Sequence, residues 1–233
     1  MNPEIIAECG TAHGVADGRS IMSRAVDLVG RCAEAWVDTV KFQLFVPDEP
    51  LFCPMPGDEN RWDRWADSML TFNEWKWIKA ECTLNGVNFL VSVFQHGGLK
   101  MAKDLGCTRI KVASRAAQSF PYRDWEGDFI ISEGMCRPVH MRSPARVTTM
   151  QCCMEYPTPL VKARWQDGRQ EVTDNSLGFG LSDHSGNPWI AIDAIARGCP
   201  MVEVHVDGMP GSVTFEQLKL ICEARDNFMA MQA

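Results

Sequence analysis

Ile5-Ile6-Ala7-Glu8 is a short apolar run that closes on an acid, and six further runs repeat the form with other reactive termini. Lys41 and Gln43 stand in Val40-Lys41-Phe42-Gln43, Ser92 in Phe89-Leu90-Val91-Ser92, and Lys111 and Ser114 in Lys111-Val112-Ala113-Ser114. Ser132 closes Ile130-Ile131-Ser132; Ser182, Asp183 and His184 close Gly180-Leu181-Ser182-Asp183-His184; His205 closes Glu203-Val204-His205. Each end group is able to hold a phosphate, a carboxylate or a metal ion. Reactive side chains spaced one per strand end are the pattern of a (β/α)8 barrel, where they gather on the C-terminal face. The expected fold class is therefore α/β, a (β/α)8 TIM barrel forming one domain over residues 1–233.

The intervening sequence fits that frame. Short apolar runs alternate with amphipathic stretches, the α/β signal. Eight strands are expected at 4–9, 37–43, 88–93, 109–113, 128–132, 147–152, 177–181 and 201–205. Helices are expected at 18–35, 72–85, 97–106, 188–198 and 214–230, the last opened by a capping box of Thr214 and Gln217. Pro121, Pro138 and Pro144 predict short or degenerate helices after strands four and five. Residues 44–71 are the least regular, with Pro47, Pro50, Pro54, Pro56 and Gly57 ahead of Trp62 and Trp65. A loop of that length is usually functional, and after strand two it would lie over the barrel mouth. The other reading is a surface excursion packed down by its tryptophans.

Composition sets limits on partners. A formal net charge of -7 argues against a nucleic-acid footprint, which needs a basic patch. Anions would have to be captured by local cations, for which Lys41 and Lys111 are candidates. Ten cysteines without a CxxC pair or a signal-like N-terminus point to reduced thiols and a cytoplasmic location. No apolar run approaches the roughly 20 residues that cross a bilayer, so no membrane partner is expected.

His184 and His205 end neighbouring strands, where two imidazoles could share a divalent metal with Glu8, Glu203 or Asp183 and water nearby. Imidazole and oxygen donors suit Mn²⁺, Zn²⁺, Fe²⁺ or Co²⁺. Strand-end histidines also serve as ordinary hydrogen-bonding residues. Lys41 and Lys111 lie inside apolar strands, where an unpaired ammonium is costly. Each could close an internal salt bridge or form a Schiff base. Beside serines at 92, 114, 132 and 182, the pair favours a pocket for phosphate and carboxylate.

Several segments together resemble the sialic acid synthases, the NeuB-like phosphoenolpyruvate-condensing barrels. They are Ile5-Ile6-Ala7-Glu8-Cys9-Gly10 with His13, Val40-Lys41-Phe42-Gln43, Lys111-Val112-Ala113-Ser114 and Ser132-Glu133-Gly134-Met135. Glu155-Tyr156-Pro157-Thr158-Pro159, Gly180-Leu181-Ser182-Asp183-His184-Ser185 and Glu203-Val204-His205 follow in family order. The resemblance implies condensation of phosphoenolpyruvate with an aldose such as N-acetylmannosamine, giving a nonulosonic acid and phosphate. It places Lys41, Lys111, Ser92, Ser114, Ser132 and Ser182 on phosphoenolpyruvate, with Gln43 as a further substrate-binding residue. It makes His184 and His205 the ligands of a divalent metal, with Mn²⁺ expected and Mg²⁺ or Co²⁺ as alternatives, and sets Glu8 and Tyr156 on the sugar. Glu8, Lys41, Lys111 and His205 are the implied catalytic set, and a homodimer is the implied assembly.

The chain departs from the family pattern chiefly on the acceptor side. Arg115-Ala116 stands where the family has Gly-Glu, Met154 replaces a polar residue, and Val213 takes the place of a sugar-binding aspartate. The family's C-terminal antifreeze-like domain is not expected, since the sequence stops at Ala233 after the eighth helix. Three functions follow: a metal-dependent synthase with a diverged acceptor, a Schiff-base or metal-dependent aldolase, and a non-catalytic barrel acting as a binding partner. The synthase is the leading expectation.

Overall fold

The computed structural model describes residues 2–135, 146–166, 176–206 and 208–232. Eight parallel strands close on themselves in sequence order: β1 (Glu4–Gly10), β2 (Thr39–Leu44), β3 (Asn88–Val93), β4 (Arg109–Val112), β5 (Asp128–Glu133), β6 (Val147–Cys152), β7 (Ser176–Asp183) and β8 (Met201–Val206). Pairing of β1 with both β2 and β8 completes the barrel expected from the repeated strand ends. A two-residue strand, β9 (Ser212–Val213), adds to β8 outside the expected set. It buries Val213 at the position aligned with the family's aspartate.

Helices α1 (Ile21–Glu34), α2 (Trp62–Ala66), α3 (Phe72–Leu84), α4 (His96–Asp104), α5 (Pro188–Ala196) and α6 (Phe215–Gln232) cover the outside. Their starts follow local chemistry. Ser20 caps α1, Asn187 with Pro188 opens α5, and the Thr214–Gln217 pair opens α6 as expected. A full capping box of Thr71 and Glu74 at α3 was not among the expectations. After β4 the chain makes only the 3-10 turns Ser114–Ala116 and Tyr122–Asp124, as Pro121 predicts. Pro138 and Pro144 lie outside the described residues.

Strand parity sorts the interior into tiers, because alternate side chains point in and out. Ile6, Leu90, Ile130, Met150 and Met201 form a separate apolar cluster. Two residues before each, or level with them, Glu4, Thr39 and Arg109 are joined by hydrogen bonds at the bottom. Gly180 faces the apolar cluster with no side chain, and a Cβ there would stand 2.6 Å from the carbonyl oxygen of Met201. The outward residues, among them Ile5, Ala7, Val40 and Phe42, pack under the helices in the main core. Lys41 and Lys111 fall on the inward parity, one step above the apolar tier.

Residues 44–71 are more ordered than their composition predicts. They hold a 3-10 turn at Asp58–Arg61 and the short α2. Trp65 stacks on Phe45 at 4.9 Å, and Phe45 on Phe94 at 4.7 Å. Gln95 bonds both the N–H and the carbonyl of Val46. From below, the Nε2–H of buried His13 donates to the Ser68 carbonyl at 2.8 Å. Both readings of the segment are thus correct in part: it packs down, and it packs down over the mouth.

Burial holds the His13 imidazole neutral, with its pKa lowered from 6.5 to about 4. The unfolded chain therefore takes up that proton first as pH falls, and stability drops through this window. We expect His13→Gln, which keeps a donor for Ser68, to flatten the acid-side loss by on the order of 3 kcal/mol. Denaturant midpoints of both proteins across the window measure it; parallel curves would contradict it.

Candidate active site

A cavity of about 380 Å³ opens at the C-terminal end of the barrel. Its lining includes every expected site residue: Glu8, Lys41, Gln43, Ser92, Lys111, Ser114, Ser132, Tyr156, Ser182, His184 and His205. Strand register aligns the floor. Glu8 lies opposite Lys41 and His205, Ser92 opposite Lys111, and Ser182 opposite Glu203.

The lysines are not free cations. Lys41 Nζ is ion-paired with Glu8 and lies 3.2 Å from Glu203 Oε2, while donating to Ser92 Oγ at 3.1 Å. Lys111 Nζ donates to Ser132 Oγ at 2.7 Å and to Glu203 Oε1 at 3.3 Å. Glu203 therefore bridges both lysines and also accepts from Ser182 Oγ at 2.9 Å. The Oε2 atoms of Glu8 and Glu203 face Lys41 as ion pairs without hydrogen-bond geometry, so each retains capacity to accept. Two acids and two bases, all buried, make an internally compensated floor.

The floor's ionisation is uneven. Burial opposes charge on Glu203, but Lys111 and Lys41 outweigh it and hold its carboxyl well below the usual range. At Glu8 burial wins over the single close partner Lys41, and its carboxyl is raised. Burial also lowers Lys111, whereas Glu203 and Glu8 more than offset burial at Lys41 and raise it. Groups shifted this unevenly within one buried cluster are suited to handling protons.

Above this floor the two histidine rings stand 5.0 Å apart. His184 Nδ1–H donates to the Cys153 carbonyl at 2.6 Å, which leaves a lone pair on Nε2, where Tyr156 donates its hydroxyl hydrogen at 2.9 Å. Tyr156 stacks on His184 at 4.1 Å. Burial lowers His184 to about 4, and burial with the His184 neighbour takes His205 well below the ordinary value. Both rings are held neutral, the state in which imidazole ligates metal, and the Cys153 carbonyl fixes the orientation of His184. Among the described residues no group of three His, Cys, Asp or Glu side chains is placed to hold a metal. The pair fits an ion only if water and substrate oxygens supply the remaining donors.

Other candidates fall elsewhere. Asp183 points away from the cavity; its carboxylate accepts from the N–H and hydroxyl of Ser185, and burial raises it to about 6. Trp62 does not line the cavity and instead stands edge-on to Trp65 at 6.3 Å, so of the two only Trp65 reaches it. Three arginines, 61, 64 and 115, reach the rim without having been expected as site residues. Glu203, expected near the histidines as a possible metal neighbour, instead pairs with both lysines. The arginines carry no strand-end signal, because they belong to an irregular segment and to a 3-10 turn.

Arg115 explains one departure from the family pattern. Its guanidinium meets Asp58 twice, at 2.9 Å and 2.5 Å, and donates to the Cys53 carbonyl at 2.6 Å. It ties the end of β4 to the segment above β2.

A parallel eight-stranded barrel with a buried lysine–carboxylate floor and a histidine pair at its mouth defines an enzyme-type barrel. The chain belongs to the NeuB family, whose family model matches residues 28–210. It is 23% identical over 251 aligned residues to the N,N'-diacetyllegionaminic acid synthase of Campylobacter jejuni, covering 94% of this chain and 74% of that protein. The N-acetylneuraminic acid synthetase of Leptospira borgpetersenii, solved with citrate, superposes with a TM-score of 0.73 at 19% identity over 100% of this chain and 86% of that one. A putative spore coat polysaccharide biosynthesis protein E from Chromobacterium violaceum gives 0.78 at 19% identity, over 99% and 76%. These superpositions establish the shared fold.

Replacing Arg115 by methionine should release the segment without disturbing the barrel. Loss of its charge-assisted bonds is expected to weaken local protection by roughly 1.5–3 kcal/mol. Hydrogen exchange should rise at 53–66 while the strands keep their protection; unchanged exchange there would show that the aromatic stack alone holds the segment.

Proposed function

We propose that this chain condenses phosphoenolpyruvate with an aldose acceptor of the N-acetylmannosamine kind, yielding a nonulosonic acid and inorganic phosphate. The observation that carries the reading is the floor: two buried lysines, each shared with a carboxylate and a serine hydroxyl, at the strand ends of a NeuB-family barrel. Phosphoenolpyruvate presents a phosphate and a carboxylate together. Lys111 uses two of its three N–H groups in the protein, which leaves one for a ligand oxygen. Ser114, whose Oγ accepts from the N–H groups of Gly134 and Met135, keeps its own hydrogen for the same purpose.

Glu8 is the proton carrier in this scheme. When the methylene carbon of phosphoenolpyruvate attacks the acceptor aldehyde, the aldehyde oxygen must gain a proton. Glu8 passes it on from the Lys41 ammonium with which it is ion-paired. Water then adds to the oxocarbenium-like carbon and returns a proton to Glu8. The tetrahedral product then forms its carbonyl as the carbon–oxygen bond to phosphate breaks, and its hydroxyl proton leaves with the phosphate. Gln43, whose Nε2 lies 3.4 Å from Glu8 Oε1, orients that carboxyl.

His184 and His205 would hold a divalent metal, Mn²⁺ by preference, which supplies Lewis acidity toward the acceptor carbonyl. Tyr156 would give up its bond to His184 and turn to the sugar. Burial of Lys111 and its lowered pKa favour one second reading, a Schiff-base aldolase. Borohydride trapping with a keto acid separates the two, since only the aldolase forms an adduct on lysine.

The central test is incubation with phosphoenolpyruvate, Mn²⁺ and a panel of aldoses, following loss of phosphoenolpyruvate and appearance of phosphate. No consumption with any aldose would remove the reading. Lys111→Met should weaken phosphoenolpyruvate binding by roughly 1.5–3 kcal/mol by calorimetry. Unchanged affinity would make this lysine a structural partner of Glu203. His184→Ala/His205→Ala should abolish metal uptake while leaving the barrel folded; an unaltered metal stoichiometry would place the ion elsewhere.

A further inference from the structure

We propose that Arg61 and Arg64 form an anion subsite at the acceptor end of the cavity, selecting an aldose that carries a phosphate or carboxylate. The inference rests on the functional reading above and sharpens its acceptor.

It begins with where the site's positive charge is already committed. Lys41 and Lys111 face Glu8 and Glu203, so the floor carries no surplus. Arg115 is held by Asp58 and the Cys53 carbonyl. Arg61 and Arg64 line the same cavity, yet neither makes a hydrogen bond or ion pair with any described residue. They are three residues apart on consecutive turns, close enough that Arg61, together with burial, lowers the pKa of Arg64. Two like charges kept together cost stability unless something anionic joins them.

Position assigns the anion to the acceptor. Arg61 and Arg64 line the cavity from the segment above the mouth, as do Trp65 and, from another element, Tyr156, whereas the lysines lie on the strand-end floor. The platform beneath is rigid. Trp65, between the two arginines in sequence, is stacked on Phe45, and Asp58 is clamped by Arg115. Guanidinium groups present planar forks that match phosphate and carboxylate oxygens, and an anchored segment beneath them limits the backbone ordering that capture would require. A neutral aldose offers these groups only hydroxyls.

The test compares N-acetylmannosamine, the same sugar phosphorylated on its terminal hydroxyl, and a hexuronate, each with phosphoenolpyruvate and Mn²⁺. Both the wild type and Arg61→Gln/Arg64→Gln are assayed by phosphoenolpyruvate loss and by calorimetry. Both arginines are exposed, so the variant should fold. The wild type should prefer an anionic acceptor, and the variant's KM for it should rise about tenfold to a hundredfold, with phosphoenolpyruvate affinity within error of the wild type. Preference for the phosphate ester or for the uronate tells which anion the fork accepts. A wild type that prefers neutral N-acetylmannosamine, or a variant that loses phosphoenolpyruvate affinity to the same degree, would overturn the inference while leaving the condensation intact. If phosphoenolpyruvate is consumed with none of the three, the functional reading fails. Calorimetry then decides the subsite alone: binding of either anionic sugar that the variant loses would support it, and equal binding by both proteins, or by neither, would overturn it.

Discussion

Four charges inside the barrel, Glu8, Lys41, Glu203 and Lys111, constrain everything around them. Each ion taken from water costs several kcal/mol, and removal of one partner leaves another stranded. The arrangement is tolerable only because the charges alternate, with Glu203 touching both lysines and Glu8 touching Lys41. That alternation depends on register: β1 must meet β2 and β8 without slipping, since a slip of one residue would turn each side chain to the other face. The apolar tier of Ile6, Leu90, Ile130, Met150 and Met201 closes the barrel beneath and keeps water from the ion pairs. Fold and chemistry thus share one set of contacts.

The fold was legible because seven of the eight strands carry a polar residue of inward parity near their ends. Ser92, Ser132 and Ser182 are therefore informative as a series, although a single serine is not. Identifying the inward face would also have disclosed the pairing of Lys41 and Lys111 with acids, since Glu8 and Glu203 share their parity. What the reading could not supply was the choice between a lysine that awaits a substrate and one already satisfied. That depends on distances between strands remote in sequence. The rim was illegible for another reason. Residues 44–71 lack periodicity, so nothing in their pattern tells that Trp65 goes inward, Trp62 does not, and Arg61 and Arg64 face the cavity.

Within the NeuB family frame, the chain's departures gather at that rim and not on the floor. Arg115 is the clearest case, since the residue that breaks the family's Gly-Glu pattern fastens the segment after β2. Val213 differs: it is drawn into the short strand β9 and buried in the main core, outside the cavity lining. On the proposed reading, the residues assigned to phosphoenolpyruvate lie on the strand-end floor, while the acceptor side is formed largely by the segment after β2.

The Asp58–Arg115 clamp also makes two distant stretches of sequence a single inheritable unit. Loops on a barrel face are commonly treated as exchangeable modules, since each is rooted in its own strand. Here the excursion after β2 and the turn after β4 are not independent. Transplanting either into another barrel would strand a partly buried aspartate or an unpaired guanidinium at the mouth. Divergence at one position must then be answered at the other, so new specificities in this lineage would arise by paired replacement and not by drift of a solitary loop.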